Sequence, residues 1–391
     1  PNVGAWTLSP VASEIEAQTV RWIAELLRYP EESGGLLVSG GNMANMAAFW
    51  AARVAAGGAA VRTDGTHEGP PLVVYASAET HTWVQKATDL AGLGTNAIRW
   101  IPTGRDLRMD VDALRREMDR DVSLGRRSMM VVGTGGSVST GAVDPLREIA
   151  GVCRERGVWF HVDGAYGGLA AMLPDAPEDL HHLALADSVA VDPHKWLYAP
   201  LEAGCVLVRD PQKLRDAFSY HPPYYHFGVE ATNFVDLGPQ NSRGFRALKV
   251  WLALSQAGRE GYERMLSDDI RLARMLHETA EAHPELQTSE AGLSISTFRF
   301  IPEALRPRLG EAGVEEYLNE LNKAIQARLE EDGEVFLSNA VHRGMYVLRG
   351  CIVNVRTDEE DVRAIPEIVA RVGREVHETL RLQHPEVAGV A

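Results

Sequence analysis

The sequence predicts an α/β fold with a mostly parallel sheet, followed by a smaller α+β domain. Three observations support this prediction: short β-branched segments alternate with amphipathic helical segments, two long helical stretches follow them, and shorter mixed elements fill the C-terminal part. With 391 residues, of which 45% are hydrophobic and 24% charged, the chain is long enough for two full cores. We expect a large domain over residues 1–282, including the linking helices, and a small domain over residues 283–391.

The first predicted helix of the large domain begins at Pro10, with Ser9 as its N-cap, and runs to about residue 28. The predicted strands that follow are residues 72–75, 97–100, 129–132 and 158–162, and the predicted helices between them are residues 82–90, 111–121 and 145–156. This alternation indicates parallel strands with helices on both faces of the sheet. An antiparallel mixture with inserted helices is the alternative.

Two long helices then lead the chain out of the sheet. They are predicted over residues 242–256 and 260–282. Beyond them we predict a strand over residues 293–300, a helix over 314–329, strands over 335–338, 345–348 and 351–355, and a final helix over 359–381. This mixed order predicts the smaller α+β domain.

Charge and cysteine usage narrow the class of protein. The formal net charge of −15 and a pI near 5.4 argue against nucleic acid and anionic membranes as partners. The three cysteines, Cys153, Cys205 and Cys351, are too few and too far apart for a disulfide framework or a paired-thiolate zinc site, so we expect a reducing compartment and no metal. Neither a signal peptide nor an apolar run of ~20 residues is present. We therefore expect a cytoplasmic protein.

The most informative segment is Ala-Asp-Ser-Val-Ala-Val-Asp-Pro-His-Lys-Trp, residues 186–196, in which an apolar strand delivers Lys195. Open α/β sheets bind ligands at the carboxyl ends of their strands, and a lysine held there can form an imine. Upstream, a second apolar strand ends in Asp163 and enters a glycine-rich turn. Pyridoxal phosphate needs such a pair, namely a lysine to carry it and a carboxylate to keep its pyridine nitrogen protonated. An ordinary surface lysine and a solvated aspartate are the alternatives.

Two further segments fit the same cofactor. The turn Ser-Gly-Gly-Asn-Met-Ala-Asn, residues 39–45, enters a helix over residues 43–54, and its glycines would let backbone N–H groups approach a phosphate. An ordinary glycine turn is the alternative, since the spacing is that of neither a P-loop nor a dinucleotide fingerprint. His81, in Glu-Thr-His-Thr-Trp after the strand over residues 72–75, could cover a cofactor ring or serve as a capping histidine.

These motifs resemble those of the group II pyridoxal-phosphate-dependent amino-acid decarboxylases, and within that family most nearly the aromatic-L-amino-acid decarboxylases. The resemblance runs from about residue 6 to residue 254 and rests on Asp-Pro-His-Lys-Trp and His-Val-Asp-Gly-Ala-Tyr. It implies the fold type I, PLP-dependent transferase-like architecture, with a seven-stranded-type sheet in the large domain. It also implies a homodimer with shared active sites and a small-molecule amino-acid substrate.

The resemblance further implies a role for individual residues. Lys195 would form the Schiff base, Asp163 would pair with the pyridinium nitrogen, and Tyr224 would protonate the carbon left by loss of carbon dioxide. Ala165 and His81 would cover the two faces of the ring. The phosphate would be held by Gly40, Gly41 and Asn42, with Ser188 and His194 near it.

Three departures from the family pattern stand out. Asp192 occupies a position where many relatives have asparagine, and a carboxylate beside a phosphate would repel it. Val138 replaces a hydroxyl residue of the family, and the family's N-terminal arm is not in this sequence. These departures support the alternative of a PLP-binding homologue without activity.

Several side chains bear on the product and on the substrate class. Relatives that make aldehydes often carry phenylalanine where this chain has Tyr224, so Tyr224 favours the amine. An aromatic-rich loop (Tyr220, Tyr224, Tyr225, Phe227 and Phe234) suits an aromatic substrate or simple loop packing. Arg243 and Arg246 could hold an acidic substrate instead, or anchor the loop. A Rossmann-type dehydrogenase has little support, because no Gly-x-Gly-x-x-Gly follows the first strand.

Overall fold

The computed structural model describes residues 1–222 and 231–388, which form two compact units. Unit 1 comprises Pro1–Ser137 and Ala142–Glu263, and unit 2 comprises Val138–Gly141 and the described residues from Arg264 onward. Among the described residues, no helix is long and apolar enough to cross a membrane. No group of three or more acidic, histidine or cysteine side chains within these ranges could hold a metal ion.

Unit 1 contains strands and helices in alternation, as the sequence predicts. Its strands are β1 (Gly34–Val38), β2 (Leu72–Ser77), β3 (Ile98–Ile101), β4 (Arg127–Thr134), β5 (Trp159–Asp163), β6 (Ser188–Val191) and β7 (Gly204–Val208). Its helices are α1 (Pro10–Leu26), α2 (Gly41–Gly57), α3 (Ala60–Thr63), α4 (Trp83–Leu90), α5 (Val111–Ser123), α6 (Leu146–Arg156), α7 (Pro193–Trp196), α8 (Gln212–Phe218) and the start of α9 (Ala247–Ala282).

The seven strands described in unit 1 form one sheet in the order β1-β7-β6-β5-β4-β2-β3. The pairs from β3 through β6 are all parallel, whereas β7 is antiparallel to both β6 and β1. Every residue of β2, β6 and β7 is buried, as expected for a sheet covered on both faces. The predicted mostly parallel sheet is confirmed, and the antiparallel mixture is not found.

The long helix α9 carries a break where the sequence predicts two separate helices. Gly258 has φ of 63° and ψ of 176°, which interrupts the helical backbone. Glycine adopts this left-handed conformation without the steric cost of a Cβ. The two units divide within α9, between Glu263 and Arg264, whereas the domain boundary predicted after residue 282 falls at the end of this helix.

Unit 2 has an antiparallel sheet in the order β10-β11-β9-β8. The elements are β8 (Leu286–Gly292), β9 (Ile295–Phe300), α10 (Ala312–Asp332), β10 (Ser338–His342), β11 (Met345–Cys351), α11 (Glu359–Leu380) and α12 (Pro385–Ala388). The predicted strands over residues 335–338 and 351–355 were wrongly placed. Arg343 and Gly344 both have positive φ, and the tight hairpin turn that they form pairs Ser338–His342 directly with the start of β11.

Candidate active site

The carboxyl ends of four strands place the predicted site residues at one edge of the sheet in unit 1. Asp163 ends β5, and β6 leads through Asp192 into the short helix α7, which carries Lys195. His81 follows β2, and the turn at Gly40 follows β1. Because β1, β2, β5 and β6 run in the same direction, their carboxyl ends meet at this edge, where open α/β sheets bind ligands.

The amine of Lys195 is paired with a buried carboxylate. Its Nζ lies 3.0 Å from Oδ2 of Asp192, and the Asp192 side chain is 3% exposed whereas that of Lys195 is 42% exposed. Nε2 of His194 lies 3.7 Å from the same oxygen. Burial raises the pKa of Asp192, and the charges of Lys195 and His194 oppose this rise. The Lys195 side chain is therefore partly accessible to solvent, while its amine forms an ion pair with Asp192.

Asp163 is held by two hydrogen bonds from neighbouring N–H groups. Nε1 of Trp83 donates to its Oδ2 at 2.8 Å, and the backbone N–H of Ala165 donates to its Oδ1 at 3.1 Å. The carboxylate is 7% exposed, so these bonds fix its orientation in a largely buried position. The two donors aim the carboxylate at the site edge, where a cationic partner could pair with it. Sequence reasoning assigned Trp83 no role, although it lies two residues after His81.

A buried chain of hydrogen bonds lies behind Asp163. Nε1 of Trp159 donates to Oγ of Ser188 at 2.8 Å, Ser188 Oγ lies 2.8 Å from Nδ1 of His161, and His161 Nε2 lies 2.7 Å from Oδ1 of Asn45. Asn45 Oδ1 can only accept, so Nε2–H of the neutral imidazole donates to it and Nδ1 accepts from the Ser188 hydroxyl, whose oxygen also accepts the indole N–H. Burial lowers the pKa of His161 to about 4, which keeps it neutral. The signal that sequence reasoning missed is a histidine inside an apolar strand.

This hydrogen-bond chain corrects the prediction for Ser188. Its hydroxyl is fully buried and uses its donor and an acceptor within the protein. Ser188 is the first residue of β6, and Asp192 follows the last residue of that strand. At about 3.3 Å per residue, the four steps between them place Ser188 about 13 Å from Asp192. Ser188 therefore lies away from the edge where the glycine turn is found, and it supports His161 instead.

The glycine turn between β1 and α2 has the backbone of an anion cradle. Gly40 adopts φ of 116°, and helix α2 begins at Gly41, so the first-turn N–H groups of Gly41 and Asn42 have no carbonyl partner inside the helix. A Cβ on Gly41 would lie 2.6 Å from Oδ2 of Asp192, so only glycine fits there. His194 Cε1 would lie 3.2 Å from a Cβ on Gly40, which brings this histidine to the turn as predicted.

Three predicted site residues remain, namely Ala165, His81 and Tyr224, and the structure describes the first two. Ala165 is buried beside the glycine turn, 3.0 Å from the position of a Gly41 Cβ. His81 is exposed, and its Nδ1 accepts the backbone N–H of Trp83 at 3.3 Å, so it caps α4 while it stays at the site edge. Tyr224 lies outside the described residues.

The two arginines considered for an acidic substrate are already engaged. Arg243 is buried, pairs with the carboxylate of Glu16, and donates to the carbonyl of Val3 at 3.1 Å. Arg246 donates to Glu202 at 2.8 Å. The anchoring interpretation therefore describes both side chains, and the alternative in which Arg243 holds a substrate is disfavoured because its side chain is only 1% exposed and is paired with Glu16.

Comparison with known proteins gives the family. The model of the pyridoxal-dependent decarboxylase conserved domain matches residues 2–300. This chain belongs to the pyridoxal-dependent decarboxylase family. It is 34% identical over 377 residues to an aromatic-L-amino-acid decarboxylase of Bacillus atrophaeus, which covers 95% of this chain and 75% of that protein. It is 28% identical to a phenylacetaldehyde synthase of a Rosa hybrid cultivar over 91% of this chain and 72% of that protein.

The fold comparison agrees with the sequence comparison. The crystal structure of Oryza sativa TDC with PLP and tryptamine superposes with a TM-score of 0.86 at 29% identity, over 96% of this chain and 78% of that chain. The predicted fold type I architecture is thereby confirmed. The chain is a pyridoxal-phosphate-dependent amino-acid decarboxylase, a carbon–carbon lyase.

The residues at the sheet edge fit the cofactor of this family. The site offers an amine at Lys195, a carboxylate at Asp163 held by two donors, and a glycine turn with unpaired first-turn N–H groups. These are the groups that an aldehyde, a protonated pyridine nitrogen and a phosphate require. The three chemistries meet at one edge of one sheet, although they come from three separate parts of the chain.

Proposed function

We propose that this decarboxylase converts an aromatic L-amino acid to its amine and carbon dioxide, with the cofactor carried by Lys195. The observation that carries the proposal is the placement of Lys195 and Asp163 on adjacent strand ends, each held by a buried partner. The aromatic substrate class is supported by the named relatives, which include an aromatic-L-amino-acid decarboxylase and a structure that contains tryptamine.

Each residue of this chain has a defined task in the proposal. The amine of Lys195 would hold the cofactor through its aldehyde, give the cofactor up to the substrate amine, and take it back when the product leaves. Asp163 holds a proton at the pyridine nitrogen, and the N–H groups of Gly41 and Asn42 bind the phosphate, with Gly40 making the turn and His194 beside it. His81 and Ala165 confine the ring between them. The cofactor, when bound, supplies an electron sink for the electrons of the bond that breaks.

The final proton is assigned to Tyr224. Its position in the sequence matches the tyrosine with which the family protonates the substrate carbon, and this role favours the amine over an aldehyde. Similarity to a phenylacetaldehyde synthase keeps the aldehyde as the second candidate function. A substrate with an acidic side chain has less support, because Arg243 and Arg246 are paired with Glu16 and Glu202.

We also propose a cytoplasmic homodimer. The family resemblance supports a dimer with shared sites, and Leu248 and Leu252 are exposed one turn apart on α9, as apolar side chains at an interface would be in a lone subunit. The three cysteines are unpaired, which suits a reducing compartment.

The test is product analysis with one amino-acid panel. The PLP-loaded protein is given tryptophan, tyrosine, phenylalanine and glutamate, and carbon dioxide, amine, aldehyde and peroxide are measured. We expect amine and carbon dioxide from the aromatic substrates only, complete loss of both in Lys195→Ala, and retention in the control Lys213→Ala on α8. Peroxide and aldehyde would instead establish the synthase, while no carbon dioxide from any substrate, or unchanged turnover by Lys195→Ala, would refute the proposal.

A further inference from the structure

The carboxylate of Asp192 is buried and has one close cationic partner in the part of the chain that the structure describes. The residue is 2% exposed, and its Oδ2 lies 3.0 Å from the Lys195 amine. Its Oδ1 is buried and has no hydrogen-bond partner among the described residues. Although Asp192 is the N-cap of α7, its side chain does not cap that helix. The carboxylate is therefore turned toward Lys195 rather than satisfied locally, and an unpaired oxygen of this kind is costly in a protein interior.

The other groups that face this carboxylate do not remove its charge. Nε2 of His194, on the same helix, lies 3.7 Å away, which is too long for a hydrogen bond. Asp163, at the end of β5, adds a second negative charge that raises the pKa of Asp192 further. Burial raises the pKa of the Cys205 thiol on β7, and the charges of Glu16 and Asp192 raise it further, so the thiol stays neutral. Among residues 1–222 and 231–388, Lys195 alone places a positive charge within hydrogen-bond distance of Asp192.

The same carboxylate lies directly beneath the anion cradle. A Cβ on Gly41 would be 2.6 Å from Asp192 Oδ2, so the carboxylate touches the backbone whose N–H groups open α2. A phosphate on those N–H groups would lie within a few ångströms of Asp192. Two negative charges at this separation in a buried site cannot both persist without a large cost, so one of the two groups takes up a proton. The first-turn N–H groups of α2 stabilise the anionic phosphate, whereas Oδ1 of Asp192 has no hydrogen-bond partner among the described residues, so the proton is favoured on the carboxylate.

We propose that Asp192 is a positioning residue that holds the Lys195 ammonium in the apoprotein, and that entry of the phosphate-bearing cofactor is coupled to uptake of one proton by Asp192. The proton comes from solvent and neutralises the carboxylate, while the phosphate takes its place as the anion of the site. This inference rests on the proposed function, because it requires Lys195 to carry the cofactor.

The sign of the pH dependence follows from this exchange. An ionised Asp192 opposes the phosphate, so cofactor binding raises the pKa of Asp192 above its already raised value in the free protein. Between those two pKa values, binding takes up a proton and the affinity for PLP increases as the pH falls. An asparagine at this position has no proton to take up, so the Asp192→Asn variant lacks this component of the pH dependence.

The experiment compares the apo forms of the full chain, the Asp192→Asn and Asp192→Ser variants, and the surface control Asp119→Asn. Proton uptake is measured at pH 6 by calorimetry in two buffers of different ionisation enthalpy, with PLP and with pyridoxal, which lacks the phosphate. With PLP, we expect wild type and Asp119→Asn to take up as much as one proton more per bound cofactor than Asp192→Asn and Asp192→Ser do. With pyridoxal, we expect all four proteins to take up the same number of protons. At pH 8, we expect Asp192→Asn to bind PLP about tenfold more tightly than wild type.

A second measurement follows Lys195 directly. Trinitrobenzenesulfonate should modify Lys195 faster in apo Asp192→Asn than in apo wild type, because the amine is no longer held by the carboxylate 3.0 Å away. Borohydride reduction and peptide mapping of the wild-type PLP complex must first show the label on Lys195. A label elsewhere overturns the proposed site together with this inference, whereas a label on Lys195 with equal proton uptake in wild type and both Asp192 variants overturns the inference alone.

Discussion

Replacing the buried histidine behind Asp163 gives the most quantitative prediction. His161 is fully buried between Ser188 and Asn45, and burial lowers its pKa from 6.5 to about 4. The unfolded chain takes up a proton at this residue below pH 6.5, whereas the folded chain does so only near pH 4. The stability that the neutral histidine contributes is therefore present above pH 6.5 and is lost as the pH falls toward 4.

The size of this loss follows from the pKa difference. One pKa unit corresponds to about 1.4 kcal/mol, so between pH 7 and pH 5 the folded state loses about 2 kcal/mol through His161. The His161→Gln variant keeps an acceptor toward Ser188 and a donor toward Asn45 but does not titrate. We expect the free energy of unfolding of wild type, relative to that of His161→Gln, to fall by about 2 kcal/mol over this range.

Urea denaturation of the apoproteins at pH 7 and pH 5 measures this difference. His67, which is exposed, supplies the control variant His67→Gln, and this variant should follow wild type at both pH values. Comparing variants at each pH cancels the titration of other groups, including Asp144, whose raised pKa of about 6 acts in the opposite direction. Equal pH dependence in wild type and His161→Gln would show that His161 is not held neutral, and the reasoning from its burial would be wrong.

Three other variants test the contacts at the site and below it. Gly41→Ala places a Cβ 2.6 Å from the Asp192 carboxylate, so we expect PLP to bind at least tenfold more weakly (about 1.4 kcal/mol) in equilibrium dialysis. The control Gly151→Ala adds a Cβ that meets nothing within 4 Å and should bind PLP like wild type. Trp83→Phe removes one donor to Asp163 and should lower the free energy of unfolding in urea by about 1.5–3 kcal/mol; an unchanged value would mean that this N–H contributes nothing. Arg243→Ala leaves the buried carboxylate of Glu16 on α1 unpaired, so the free energy of unfolding in urea should fall by about 3–5 kcal/mol. A changed substrate preference without loss of stability would instead support a role for Arg243 in substrate binding.

The residues that could be predicted from the sequence are those whose signals are local. Lys195 and Asp163 each follow an apolar strand directly, and the parallel order of those strands brings their ends together. Gly40 and Gly41 were predictable for the same reason, because a strand, a glycine turn and a helix follow one another there. Local order along the chain therefore predicted both the sheet and the edge that carries the chemistry.

The parts that could not be predicted depend on contacts between distant segments. Trp83 meets Asp163 across 80 positions, and His161 meets Asn45 across 116, so neither partner is visible in a local pattern. The prediction for Ser188 was wrong because a motif gives the order of residues along β6 but not which end of the strand the cofactor approaches. Asp192 stands out in the sequence as a departure from the family pattern, yet its pairing with Lys195 depends on the turn of α7.

The approach of Gly204 to Gly40 has a consequence for how the turn receives an anion. A Cβ on Gly204, at the start of β7, would lie 2.4 Å from the backbone of Gly40, so the two main chains are in direct contact. On the Gly204 side the turn is supported by backbone, whose position does not depend on a side-chain rotamer, while His194 and Asp192 approach it from other directions. This support holds the N–H donors of the turn in place before a ligand binds, so little conformational entropy is lost on binding.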